Sequence, residues 1–358
     1  MQKKLIALAV AGLVSGGAFA QTNVTISGLA RMSFEQYKLG NTGAASYSAE
    51  NRVSDQSSML VFSGKEDMGG GNYASFQIDN RYSPDLGAIS ASGNTNIGLG
   101  GNWGVVKLGR QDLHYGAAIE GYKAYTLQNL LHAGLFSQVN GQSIANATRT
   151  PNVIWYDSPN MSGFNGRAAY STNWAANEGS GLNDGSRNGA WNLALNYANG
   201  PILAGYSYWK AKAEGGAGAT AATSDQRGDT LQFGWTGSMG WKAGLAWNKS
   251  SLTNGAGVET SRTAWLLPVS YTFGANQLAL TYARAGNLST TTTSGANAWT
   301  LAWGNSLSKR TNVGIAYTRQ HNDANAKYNL FAIGANGATA AINGASISQF
   351  SFNVNHGF

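Results

Sequence analysis

The last residues of the chain alternate strictly between two kinds of side chain. Phe350, Phe352, Val354, His356 and Phe358 are apolar or aromatic, and a small polar residue or a glycine stands between each pair. Because successive side chains of a β-strand point to opposite faces, this segment has one apolar and one polar face. A closed membrane barrel needs such a last strand, whereas a soluble domain more often ends in a frayed polar tail. The pattern predicts a transmembrane β-barrel.

The N-terminus has the three parts of an export signal. Lys3 and Lys4 form a positive region, residues 5–14 form an apolar core, and residues 18–20 form a small-x-small cleavage site. We therefore expect residues 1–20 to be a signal peptide and residues 21–358 to be a single barrel domain. A membrane-spanning helix is the disfavoured alternative, because the apolar run is shorter than the roughly 20 residues that a spanning helix needs.

Composition limits the remaining choices. The chain has 48 glycines, 16 tyrosines and 11 tryptophans, which is typical of many half-exposed strands, and it has no cysteine. Beyond residue 20 there is no apolar run of about 18 residues, which excludes helical spanning. The missing cysteine excludes disulfides, thiol catalysis and thiolate metal sites. The 24 Lys and Arg residues are spread singly among 17 Asp and Glu residues, so the chain lacks the basic face that nucleic-acid binding needs.

Strand-like alternation recurs to the end of the chain. Short turns interrupt it near residues 66–71, 101–104, 158–163, 199–201, 237–240, 274–276 and 308–310, and longer polar loops at 38–53, 173–188, 211–226, 250–259, 286–297 and 322–344. Short turns at one end and long loops at the other are typical of outer-membrane barrels. We expect about 16 antiparallel strands, an even number that brings both termini to the short-turn end. Pro268 interrupts a strand and is expected at a bulge or a strand margin, because proline donates no ladder hydrogen bond.

The segment from residue 111 to residue 150 shows no sustained alternation. A stretch of this length is unusual as an idle surface loop. Inside a barrel, its polar backbone would meet water and lumen side chains rather than lipid. We expect this long third loop to fold into the lumen and narrow the channel.

Several motifs are more specific than alternation. Residues 63–71 read SGKEDMGGG, residues 104–111 read GVVKLGRQ, residues 155–159 read WYDSP, and the chain ends in Phe358. With the signal peptide, these motifs resemble the general porins of Gram-negative bacteria, particularly β-proteobacteria, over essentially the whole chain. The resemblance implies a sixteen-stranded homotrimer in the outer membrane through which small hydrophilic solutes diffuse. It also implies contact with outer-membrane lipid and lipopolysaccharide, and assembly by the barrel-assembly machinery with Phe358 as its signal.

In such porins, an eyelet loop faces arginines and lysines on the barrel wall, and Arg110 matches the constriction arginine. Side chains alternate along a strand, so Arg110 would point toward lipid with Val106 and Leu108. We therefore expect a bulge at Gly109 that directs Arg110 into the lumen. The other candidates fall on lumen faces by alternation, precede the sixth strand, or lie on the long segment. The expected constriction residues are Arg31, Arg81, Lys107, Arg110, Asp112, Glu120, Lys123, Arg149 and Arg167.

The expected function is a water-filled channel for ions and small hydrophilic solutes, with weak to moderate anion preference because wall cations outnumber nearby acids. A substrate-specific channel and a closed structural or adhesive barrel remain alternatives. No enzyme, cofactor or metal site is expected. The 4 histidines are scattered, none lies at ligand spacing from another, and no Gly-x-Ser-x-Gly elbow is present.

Overall fold

The computed structural model describes residues 23–41, 48–90, 93–113, 135, 138–139, 142–143, 149–174, 189–212, 224–330 and 342–358. The expected signal peptide lies outside these residues. The strands are β1 (Asn23–Gly40), β2 (Glu50–Asp55), β3 (Met59–Gly69), β4 (Asn72–Ser83), β5 (Ala88–Ser90), β6 (Thr95–Gly101), β7 (Gly104–Gln111), β8 (Gln138–Val139), β9 (Gln142–Ser143), β10 (Thr150–Asp157), β11 (Phe164–Ser171), β12 (Ala190–Asn199), β13 (Ile202–Ala211), β14 (Ser224–Thr236), β15 (Trp241–Asn254), β16 (Glu259–Phe273), β17 (Asn276–Ala285), β18 (Ala296–Ser306), β19 (Thr311–Asn322) and β20 (Ser346–Gly357).

All strands except the β8–β9 hairpin belong to one antiparallel sheet. β2 and β3 both pair with β1, and β5 and β6 both pair with β4, so each of these two couples is one interrupted barrel strand. The barrel therefore has 16 strands. It closes where β1 pairs with β20, from Leu29 opposite Gly357 to Gly40 opposite Ser346. The predicted fold class and strand number are confirmed.

The connections differ between the two ends of the barrel. At one end, tight turns join consecutive strands: β3 to β4, β6 to β7, β10 to β11, β12 to β13, β14 to β15, β16 to β17, and β18 to β19. The start of β1 and the end of β20 lie at this same end. The long third connection, from β7 to β10, lies at the other end. The expected loop at residues 250–259 is wrong, because β15 continues to Asn254 and β16 begins at Glu259, which leaves residues 255–258 as the turn.

The outer face of the barrel is apolar. Leu231, Phe233, Leu280 and Leu301 point outward and are between 46% and 55% exposed. Lipid covers such a face in a membrane barrel, so these side chains lie in hydrocarbon and not in water. Within the described ranges, no helix is long and apolar enough to cross a bilayer.

Pro268 lies inside β16 and not at a bulge or a margin, so that prediction is wrong. The β15–β16 register is the same on both sides of it, with Ala243 opposite Val269 and Ala246 opposite Leu266. The ladder lapses only between these two pairs, and β16 continues to pair with β17 at Pro268 itself, opposite Thr281. A proline is tolerated within the sheet because the local loss of ladder pairing falls on one side of the strand only.

Candidate pore constriction

The inward-facing side of β1–β7, β10 and β11 carries most of the described charged residues of the barrel interior; we name it the charged arc. On β4, the Arg81 guanidinium lies 2.8 Å from the Asp79 carboxylate. Asp79 is buried and also accepts a hydrogen bond from the Asn94 backbone N–H at 3.2 Å. A Cβ on Gly93 would lie 1.9 Å from the Asp79 carboxyl carbon, so only glycine lets the chain pass this close.

Asp112 links the end of β7 to the strands that follow it. Its side chain lies 3.5 Å from Arg149, and its backbone oxygen accepts a hydrogen bond from Arg167 at 3.1 Å. The Asn94 amide donates to the Asp112 carboxylate at 3.2 Å. Arg167 also forms a bidentate pair with Asp157, at 2.6 and 3.2 Å. A continuous polar network therefore runs along the wall from β4 to β11.

The backbone is irregular beside Arg110, as expected, although the detail differs. Gly109 has a φ of +144°, which favours glycine, and the β7–β10 register shifts at this position. The extra residue lies on β10, where Asn152 has a φ of +55°, and not on β7. Arg110 interacts electrostatically with Arg149, so its charge belongs to the same cluster.

Like charges accumulate in this cluster. Burial lowers the pKa of the Arg149 guanidinium, Asp112 opposes that shift, and the positive charges of Arg81 and Arg110 add to it. Arg31 on β1 interacts electrostatically with Arg81 and with Asp55. Four of the predicted arginines are thus close enough to influence one another.

Lys107 lies nearer the short-turn end than these arginines. It lines a cavity of about 750 Å³ together with Thr25, Ser63, Gln77 and Asn96. These side chains are polar, Lys65 and Asp67 add charge, and Tyr73 and Phe76 also line the cavity.

Two members of the charged arc, Arg52 and Asp157, were missed by sequence reasoning, whereas Glu35, the partner of Arg52, was expected on the lumen face of the first strand. Glu35 is fully buried, and its carboxylate accepts hydrogen bonds from Gln56 at 2.6 Å, Ser33 at 2.8 Å and Arg52 at 2.9 Å. Arg52 was assigned to a loop. In the structure it lies on β2, directly opposite Glu35 of β1. Asp157 lies within the motif of residues 155–159 and pairs with Arg167.

The inward-facing residues of β16–β20 form a contrasting surface, which we name the neutral arc. They are mostly alanine, serine, threonine, asparagine and glutamine, and Arg262 is their one charged residue. Leu135, from the long segment, is fully buried in a cluster with Ala264, Leu266, Ala283 and Ala298.

The strand β8, from the same segment, lies against β15 and β16. The segment leaves the wall at β7 and returns at β10, so its contacts with β15 to β18 require it to cross the barrel interior. The predicted inward folding of the long third loop is confirmed at these positions.

A second connection, from β19 to β20, also lies against the neutral arc. The Tyr328 backbone accepts hydrogen bonds from Gln320 at 2.6 Å and from Asn322 at 3.1 Å. Tyr328 belongs to the same buried cluster as Leu135, and burial raises the pKa of its phenol, while nearby Arg262 opposes the shift. Sequence reasoning treated this connection as an external loop and missed its inward contacts.

The C-terminal residue is held by β1. The backbone N–H and C=O of Phe358 exchange hydrogen bonds with Gly28 at 3.1 and 2.9 Å. A Cβ on Gly28 would lie 2.3 Å from the Phe358 ring, so the ring packs over a site that has room only for glycine.

Two predicted constriction residues remain. Glu120 and Lys123 lie outside the described residues. No group of 3 or more His, Asp or Glu side chains within the described ranges is arranged to hold a metal ion.

A family model for Gram-negative porins matches residues 7–325. The chain belongs to the Gram-negative porin family. Membership accounts for the closed sheet with short turns at one end, and it places the protein in the outer membrane. Members of this family are channels and not enzymes.

Individual relatives of this porin agree with that assignment. Outer membrane porin protein 32 of Delftia acidovorans is 29% identical over 249 residues, which are 65% of this chain and 67% of that protein. Alignments to further outer-membrane relatives span 56% to 58% of those proteins.

The fold has solved counterparts. An anion-selective porin from Comamonas acidovorans has a TM-score of 0.75 at 22% identity, with 94% of this chain and 100% of that chain covered. OmpT, an outer membrane protein of Vibrio cholerae solved in a trimer form, has a TM-score of 0.65 at 12% identity, with 94% and 99% covered. At these identities, the likeness establishes the fold alone.

Proposed function

We propose that this porin is a water-filled channel for passive diffusion of ions and small hydrophilic solutes, with a weak to moderate preference for anions. The observation that carries the preference is the cluster of Arg31, Arg81, Arg110 and Arg149 on the charged arc. The anion-selective porin with the same fold is consistent with this sign.

The pairing of charges supports an excess of positive charge. Glu35, Asp79, Asp112 and Asp157 each pair with an arginine. Among the described residues, neither Arg110 nor Lys107 has a carboxylate within salt-bridge distance. These two cations therefore carry positive charge that no direct ion pair within the described ranges neutralises.

Such charges act across a narrow pore. The Debye length is about 8 Å at physiological salt, so a wall charge is felt over much of a constricted lumen. A positive wall lowers the free energy of an anion at the constriction and raises that of a cation.

We further propose that the segment 111–150 forms the constriction. Buried contacts on two sides of the lumen support this role, because Leu135 lies in a cluster with the neutral arc and Val139 lies in a cluster with residues of β10 and β11. We propose that Asp112, Glu120 and Lys123 contribute the charges of this segment to the constriction.

The test is single-channel recording in planar bilayers under a salt gradient. The reversal potential of the wild type is expected to indicate anion preference, and Arg110→Glu is expected to shift it toward cations. Arg319→Glu is the matched control, because it makes the same charge change on the outward face of β19 and should leave the reversal potential unchanged. A cation-selective wild type contradicts the proposal. A closed barrel would show no steady conductance at all.

A homotrimer is proposed for the assembled protein. The outer faces of β2 and β6 expose Val53, Ile97 and Leu99, each more than half exposed in the single chain, at 58%, 62% and 55%. A subunit contact or lipid suits such side chains, and the solved trimer form of a porin of the same fold favours the contact. Cross-linking followed by unheated gel electrophoresis tests the trimer, and a monomer under those conditions contradicts it.

Export and assembly complete the proposal. We propose cleavage of residues 1–20, recognition of Phe358 by the barrel-assembly machinery, and contact with outer-membrane lipid and lipopolysaccharide. Deleting Phe358 is expected to reduce the folded protein in the outer membrane severely, and wild-type levels of the deletion variant would contradict the role of this residue.

A further inference from the structure

Two lysines of the charged arc lie in one row of directly paired residues near the short-turn end of the barrel. Lys65 on β3 is directly opposite Ser75 on β4, which is in turn opposite Gly98 on β6. Gly98 is directly opposite Lys107 on β7. Because neighbouring strands lie about 4.8 Å apart, roughly 14 Å of wall separates the two lysine backbones. Both lysines line the same cavity of about 750 Å³.

The lysine side chains converge over β6, which lies between them. A Cβ on Gly98 would lie 2.5 Å from the Lys107 Cγ, so the stem of Lys107 extends across this strand. A Cβ on Gly100 would clash with the Tyr73 ring, so that ring covers the next inward position of the same strand. The Lys65 Nζ lies 3.9 Å from the centroid of the ring, which is a cation–π distance. The two glycines therefore leave room for both lysines and one aromatic ring over a single strand.

The charge of this site is positive. Within the described ranges, neither lysine has a carboxylate at salt-bridge distance. Asp67 also lines the cavity, and its carboxylate accepts a hydrogen bond from the Gly69 backbone N–H at 2.8 Å in the β3–β4 turn. Lys65 is exposed and Lys107 is half-buried, so both ammonium groups are accessible from the lumen.

Uncharged polar side chains border the lysines. The next inward row, one step farther from the short turns, consists of four directly paired residues: Thr25, Ser63, Gln77 and Asn96. The Gln77 side chain is held in place by a hydrogen bond from its Nε2 to the Asn94 backbone oxygen at 2.9 Å. Hydroxyl and amide groups both donate and accept hydrogen bonds. A simple inorganic anion has no use for such a row, whereas the hydroxyl groups of a sugar match it.

We propose that these residues form a binding site for a sugar that carries one acid group, either a sugar phosphate or a sugar acid. The oxyanion accepts charge-assisted hydrogen bonds from the ammonium groups of Lys65 and Lys107, and the sugar hydroxyls contact the uncharged row. A cavity of about 750 Å³ has the size of a site for a small organic ligand, for which roughly 300–1,000 Å³ is usual, and exceeds what an inorganic ion fills. The inference rests on the proposed open channel, because a solute that has passed the arginine cluster meets this site before it leaves at the short-turn end.

Saturation-transfer NMR on the folded protein in detergent measures binding without requiring conduction. The probes are glucose 6-phosphate and glucuronate, and each is compared with glucose and with inorganic phosphate, which lack one half of the chemistry. The variants are Lys65→Gln/Lys107→Gln and the charge-retaining Lys65→Arg/Lys107→Arg. The control is Lys242→Gln/Lys309→Gln, which removes two exposed cations elsewhere at the short-turn end.

Wild type is expected to bind both charged sugars more tightly than glucose or inorganic phosphate. The glutamine variant should bind them at least about tenfold more weakly, because two charge-assisted hydrogen bonds are lost. The charge-retaining variant and the control should stay within a few-fold of wild type. Binding of only one of the two charged sugars supports the proposal and identifies the acid group. Equal binding of charged sugars and glucose by wild type, equal binding of charged sugars and inorganic phosphate, or equal binding by wild type and the glutamine variant overturns it.

Single-channel recording separates this inference from the proposed function. Either charged sugar, added on the short-turn side, should interrupt the wild-type current briefly, and the glutamine variant should show far fewer interruptions. An anion-selective wild type without binding or interruptions overturns the inference and leaves the proposed function standing. A closed or cation-selective barrel that still binds the charged sugars by NMR contradicts the proposed function and supports the site. Unheated gel electrophoresis verifies that each variant is folded, and Lys107→Gln alone serves if the double variant does not fold.

Discussion

The charged arc and the neutral arc are built on the same alternation, but they differ in what lies against them. Small neutral side chains on β16–β20 let Leu135 and Tyr328 pack directly on the wall. On the charged arc, Val139 from the same segment lies in a buried cluster with Val153, Trp155 and Ala169 of β10 and β11, while Asp79 and Arg81 of β4 form an ion pair. The comparison shows that small or apolar inward residues hold the segment on both arcs, whereas the arginine cluster belongs to the charged arc.

Replacing Leu135 with aspartate is expected to have the largest effect on the packing of the segment against the neutral arc. Truncating a buried leucine already costs about 2–5 kcal/mol, and a buried unpaired carboxylate costs more. The segment should then detach from the neutral arc, and single-channel conductance should rise. Leu135→Met is the control, because it keeps an apolar side chain of similar volume. Equal conductance of the aspartate variant and wild type would show that the segment does not limit the current.

Asp79→Asn is expected to have a smaller effect, on the charged arc alone. The substitution leaves Arg81 without its carboxylate but keeps an oxygen that can accept from the Asn94 N–H. The anion preference should increase, and the shift in reversal potential should be smaller than that of Arg110→Glu, which changes the charge by two units. Glu259→Gln removes an exposed negative charge at the loop end of β16 and serves as the control. A shift toward cations would contradict the assignment of Asp79 to the solute path.

Raising the salt concentration is expected to have the smallest effect on the reversal potential, but it tests the physical cause of selectivity. The Debye length falls from about 10 Å at 0.1 M to about 3 Å at 1 M. Anion preference should therefore decline steadily in wild type and in Asp79→Asn alike. A preference that does not change with salt would indicate selection by size instead of charge.

The barrel itself could be predicted from the sequence because alternation is a local property. The terminal strand, the short turns and the outward stripes follow from parity within single segments. Leu135 could not be placed, because the buried cluster that it shares with Leu266 and Ala298 joins residues far apart in the chain. Inward alanines on β16–β18 were the available signal, since residues that are apolar on both faces of a strand indicate that something packs inside.

The arginines were a harder case. Arg110 shares its strand parity with the outward-facing Leu108, yet its charge interacts with that of Arg149, and the backbone beside it is irregular at Gly109 and Asn152. A φ of +55° at an asparagine cannot be predicted from composition. Arg52 was missed because β2 is offset from β3 by one residue in its pairing with β1, which breaks the alternation of the whole strand.

The pairing of Phe358 with Gly28 belongs to the contact between β20 and β1 that closes the barrel. Every other strand finds its neighbour from nearby sequence, but β1 keeps one free edge until β20 has been synthesised and delivered. A chain shortened by proteolysis or a premature stop codon therefore retains two unsatisfied edges and the exposed backbone that degradation enzymes and aggregates recognise. Closure of the barrel therefore depends on two strands that lie more than 300 residues apart in the sequence.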